Sequence, residues 1–148
     1  MKKLLALALL LAACSPGNGA FPGVNPDPEQ GAATAFAALP TAEETQQLAQ
    51  RGKLVFAAEA CASCHSNTSD RMGLLGPPMG GVLQRNLGRG EGDALKTRRW
   101  LFLHVRDAQR WPGAVTEAEA ARGIRMPVHP RIPDEDLKAL VEYLCSLQ

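Results

Sequence analysis

The sequence predicts an all-α domain of three main helices. Three stretches carry apolar residues at helical spacing, the first and third open on a recognisable helix start, and no stretch keeps the alternation of a half-buried strand. The first helix starts at Thr41, which forms a capping box with Glu44 ahead of Leu48, Gly52, Val55 and Phe56. The second spans about Asp93 to Arg110, with Leu95, Leu101, Phe102, Val105 and Ala108 on one side, and Trp111-Pro112-Gly113 breaks it. The third runs from about Pro133 to Leu147. Its first turn holds Asp134, Glu135 and Asp136, whose charges suit a helix N-terminus, and Leu137, Leu140, Val141 and Leu144 follow at helical spacing. Glycine inside a helix costs about 1 kcal/mol relative to alanine, so Gly52 predicts a close helix crossing.

The chain of 148 residues suits one globular unit with extensions. A formal net charge of +1 gives no basic excess for nucleic-acid binding. Aromatic residues are only 5% of the chain, so the core would be thin unless something else filled its centre.

Residues 1–13 read as an export signal, with Lys2 and Lys3 before an apolar run from Leu4 to Ala13 that is too short to span a bilayer. Leu11-Ala12-Ala13-Cys14 resembles the lipobox of bacterial lipoproteins, which makes Cys14 the expected lipid attachment site and new N-terminus. The alternative is an ordinary signal peptide with an incidental cysteine. Both readings place the protein outside the cytoplasm, in the periplasm or on the outer face of a bacterial membrane. Loss of Lys2 and Lys3 leaves 14 basic residues against 15 acids, a formal charge of −1. Residues 14–40, with Pro16, Pro22, Pro26, Pro28 and Pro40, read as a Pro/Gly-rich tether. Residues 41–148 form the folded domain.

Cys61-Ala62-Ser63-Cys64-His65 has the spacing of c-type haem attachment: two thiols at helical separation add to the vinyl groups, and the adjacent imidazole reaches the iron. Three rivals compete with it. Zinc wants four ligands, and no second Cys-x-x-Cys or histidine pair follows. A thioredoxin-like motif should sit near a βαβ pattern, which is missing. A plain disulfide between Cys61 and Cys64 is the third.

From about Thr41 to Leu147 the chain resembles the single-haem soluble cytochromes c of mitochondrial type. The resemblance rests on Gly52 to Phe56 before the cysteines, Gly76-Pro77 after the histidine, and Met126-Pro127 before the last helix. It implies the small cytochrome c fold around one covalently attached haem c, with the terminal helices crossing at Gly52 against Tyr143 or Leu144. It also implies that the Pro77 carbonyl accepts a hydrogen bond from His65. Residues 85 to 125 do not align clearly with the family.

The sixth-ligand candidates are Met72, Met79, His104, Met126 and His129. Met72 follows His65 too closely for the chain to pass round a macrocycle. Met79 stands where the resembling family packs an apolar residue on the haem, and His104 reads as a packing histidine. Met126 stands where the family keeps its ligand, with His129 in the same loop as runner-up. A thioether raises the reduction potential relative to a second imidazole.

Seven basic residues between Arg85 and Arg110 face three acids, a local excess of +4, which reads either as a solvated helix face or as a docking site for an acidic redox partner. Cys145 reads as a small buried hydrophobe. The function expected is a tethered one-electron carrier with redox-protein donor and acceptor, without substrate chemistry. The alternatives are a fixed cytochrome subunit of an exported oxidoreductase or respiratory complex, a haem enzyme or gas sensor with a labile sixth ligand, and a haem-free lipoprotein.

Overall fold

The computed structural model describes residues 21–113, 123 and 125–148, and the described residues are helical with no strand. The export signal and Cys14 lie outside them. Five α-helices are present among these residues: α1 (Pro28–Ala35), α2 (Ala42–Ala58), α3 (Val82–Asn86), α4 (Ala94–Arg106) and α5 (Asp134–Ser146). Short 3-10 turns occupy Cys61–Ser63 and Leu87–Gly90.

The frame is the crossing of α2 and α5. Thr41 and Glu44 make the expected capping box, with Thr41 N donating to Glu44 Oε2 at 2.8 Å and Glu44 N to Thr41 Oγ1 at 3.3 Å. A Cβ at Gly52 would stand 2.0 Å from the Ala139 carbonyl oxygen and 2.7 Å from Tyr143 Cβ. Such overlap is worth more than the glycine's propensity penalty, since overpacking costs roughly 1–3 kcal/mol or more. The Phe56 and Tyr143 rings meet edge to face beside the crossing, 5.5 Å between centroids. Leu137, Leu140, Val141 and Leu144 turn the other side of α5 into the core.

Asp93 caps α4 by accepting from Leu95 N and Lys96 N. The helix ends at Arg106, four residues before the predicted end. The Asp107 carboxylate accepts from Gln109 N and Arg110 N there, a local turn that competes with helix continuation.

The tether expectation needs correction for residues 23–40. Asp27 caps α1 through Glu29 N and Gln30 N, and Pro28 sits in the first turn, where its missing N–H has no partner to lose. Ala32, Ala35 and Phe36 are buried against α4 and α5; the Phe36 ring is wholly enclosed and meets Phe102 edge to face at 6.3 Å. Two backbone contacts fasten the segment further: Asp134 N donates to Gly23 O, and Arg99 donates twice to Phe36 O. The proline content suggests a solvated arm, but two small residues on one face of α1 and the buried Phe36 that follows it suffice to dock it.

Candidate haem site

The Cys-x-x-Cys-His segment follows directly from the end of α2. Ala60 takes left-handed backbone angles (φ 55°), turning the chain out of α2 into the 3-10 turn, where Cys64 N and His65 N both donate to Cys61 O at 3.2 and 3.0 Å. One helical turn thus carries both thiols and brings the imidazole after them. The Cys61 and Cys64 thiols are free, and Cys61 packs against the core. Burial pushes the Cys61 thiol above its ordinary pKa, and the Glu59 carboxylate pushes it further. That direction opposes the low-pKa thiolate of a dithiol oxidoreductase. Among the described residues no group of three His, Cys, Asp or Glu side chains is placed to hold a metal ion.

His65 Nδ1 lies 2.8 Å from the Pro77 carbonyl oxygen. With the ring proton on Nδ1 this is a donated hydrogen bond, and Nε2 keeps its lone pair for a metal. The Pro77 loop is laid along the histidine segment by three backbone bonds: Gly76 N to Cys64 O (2.7 Å), Met79 N to Ser66 O (2.8 Å) and Gly80 N to Thr68 O (2.8 Å). Gly76 is needed for this approach, because a Cβ there would lie 2.3 Å from His65 Cε1. Arg85 on α3 donates to the Pro78 and Gly80 carbonyls and holds the loop from outside.

The other candidates separate cleanly. Met79 is buried in the core, whereas Met72 is 68% exposed. His104 is stacked on Trp100, its Nδ1 2.7 Å from Trp111 O. Burial lowers its pKa against the opposing hydrogen bond to the Trp111 carbonyl, and the nearby Arg89 charge lowers it further. Met126 is half-buried and packs against the core, while His129 Nδ1 lies 3.3 Å from Glu59 Oε2. Two free thiols on one turn, an imidazole oriented through Nδ1 and a half-buried thioether packed against the core fit a covalently held haem.

The Arg-rich stretch is largely engaged within the molecule, which composition does not reveal. Arg98 pairs with Glu142, which is wholly buried, Arg106 with Asp134, and Arg110 with Glu29. Those three acids come from outside the stretch and reduce its local excess from +4 to +1. Arg89 stacks over Trp100 and donates to Pro112 O. Cys145 lies near Arg98 and Glu142, and burial pushes its thiol pKa up to about 12, as suits an inert core residue.

An all-helical domain whose first long helix ends on Cys-x-x-Cys-His, with that helix crossing the last one at a glycine, has the architecture of a small c-type cytochrome. The cytochrome c family model matches residues 49–148, and the chain belongs to that family. It is thus a haem-based electron-transfer protein with one covalently attached haem c. Comparison with curated proteins and with solved structures found no significant match.

Proposed function

We propose that the protein is a lipid-anchored electron carrier outside the cytoplasm, with its haem bonded to Cys61 and Cys64 and its iron held by His65 and Met126. The observation that carries the ligand assignment is the 2.8 Å contact between His65 Nδ1 and Pro77 O, which orients the ring and leaves Nε2 for the iron. The haem supplies a one-electron couple. The protein's own residues set its environment: Pro77 raises the basicity of His65 by accepting its proton in a hydrogen bond, and the Met126 thioether favours the reduced state. With His65 and Met126 both holding the iron, no position would be left for a substrate, so the site would pass electrons and not transform a substrate. Redox proteins are the donor and acceptor. With an excess of only +1 in the basic stretch, an acidic partner gains little long-range steering from it.

The anchor reading rests on Leu11-Ala12-Ala13-Cys14. Because the fold reaches back to Gly23, the nine residues beyond Cys14 span at most about 30 Å. That short reach favours the second reading, a cytochrome subunit fixed beside its partner in an exported oxidoreductase or respiratory complex. Fractionation of cells making wild type and Cys14→Ser tests the anchor. Membrane-bound wild type and a soluble, haem-loaded variant are expected; equal partition would overturn it. A stoichiometric partner retained in mild detergent selects the fixed subunit over the free carrier.

A further inference from the structure

Arg106, the last residue of α4, is only 5% exposed; its guanidinium lies over the Phe102 ring and sends its hydrogen bonds to residues 129–134. Nη1 donates to the carbonyls of His129 (3.1 Å) and Ile132 (2.6 Å), and Nη2 to Asp134 Oδ1 (2.7 Å). The Arg106 carbonyl also accepts from His129 N at 3.1 Å, so His129 is gripped through both its backbone groups. The other Asp134 oxygen accepts from Asn25 N at 3.2 Å, which ties the N-terminal segment to the same junction.

The gripped segment lies directly after Met126. Residues 125–133 form no helix, and Pro127, Pro130 and Pro133 remove three backbone donors, so no regular backbone ladder secures this stretch. A loop without such bonds opens at low free energy unless something else restrains it. Only a planar fork reaches two carbonyls and a carboxylate from one side chain.

We propose that Arg106 is the positioning residue for Met126, holding the loop so that the thioether stays on the iron; this rests on Met126 being the sixth ligand. A role in general stability alone would make Arg106 no different from Arg98. Arg98 lies on the same helix, pairs at 2.7 Å with the buried Glu142, and hydrogen-bonds to Glu142 and the Ala94 carbonyl instead of this loop.

The test compares wild type, Arg106→Gln and Arg98→Gln as full-length, haem-loaded proteins. Two readouts are followed: the far-red sulfur-to-iron absorption of the oxidised protein on heating, and carbon monoxide binding by the reduced protein. Arg106→Gln is expected to lose the far-red band well below its global unfolding. Its carbon monoxide affinity should rise roughly tenfold or more, the shift that loss of one charged hydrogen bond produces. Arg98→Gln should keep the band until it unfolds. Identical behaviour of the two variants would overturn the positioning role. A wild type without the band would instead remove the Met126 ligand itself. Should Arg106→Gln fail to accumulate, Asp134→Asn, which frees the guanidinium from its carboxylate, undergoes the same comparison.

Discussion

His65 Nδ1 and the Pro77 carbonyl oxygen stand 2.8 Å apart, and the neighbouring Gly76 is what lets the two segments come so close. A methyl group on Gly76 would enter the imidazole, at 2.3 Å from Cε1 and 2.5 Å from Nδ1. Gly76→Ala should therefore turn the ring and break its bond to Pro77. The reduction potential should then shift from the wild-type value while the haem stays covalently bound. Redox titration with a denaturing gel stained for haem checks both points; an unchanged potential would remove Pro77 from the ligand's support.

Phe36 tests the corrected domain boundary. Its ring is fully enclosed against Phe102, so Phe36→Ala should destabilise the haem-loaded protein by about 3–5 kcal/mol, the usual cost of truncating a core phenylalanine. Urea denaturation reads this directly. A loss within about 0.5 kcal/mol, as for a surface position, would return residues 23–40 to the status of a tether.

His104 makes stability depend on pH. Its folded pKa lies below the ordinary 6.5 because burial outweighs the favourable hydrogen bond to the Trp111 carbonyl, and the Arg89 charge disfavours the cation further. The unfolded chain therefore binds the extra proton first. Stability present above pH 6.5 is lost as pH falls from there through the lower folded value, at a slope of at most about 1.4 kcal/mol per pH unit for one group. In His104→Asn, which keeps a donor for the Trp111 carbonyl, the slope in that window should flatten. Parallel curves for the two proteins would contradict this.

The parts legible in the sequence were those whose chemistry is local or whose spacing admits one geometry. The capping box at Thr41 and Glu44 joins residues three apart, and Gly52 has few reasons to stand inside a helix other than a crossing. The start of α1 carries a local signal as well, Asp27-Pro28-Glu29 as cap, first-turn proline and first-turn acid, which the reading of residues 14–40 as an arm passes over. Arg85 and Arg106 were hidden for a different reason. Their acceptors include backbone carbonyls of irregular loops, near in sequence for Arg85 and far for Arg106, and no residue type marks a carbonyl as needing a partner. Clustered arginines accordingly read as a charged surface, whereas two of them, Arg85 and Arg106, fasten the loops on which candidate ligands sit.

The account depends most on the pair of residues assigned to the iron. The absorption spectra of the oxidised and reduced protein, recorded for wild type, Met126→Ala and Met79→Ala, test that pair directly. The expected result is a c-type reduced spectrum in all three, with the far-red band of the oxidised form present in wild type and Met79→Ala and lost in Met126→Ala. A band that survives in Met126→Ala and disappears in Met79→Ala would contradict it.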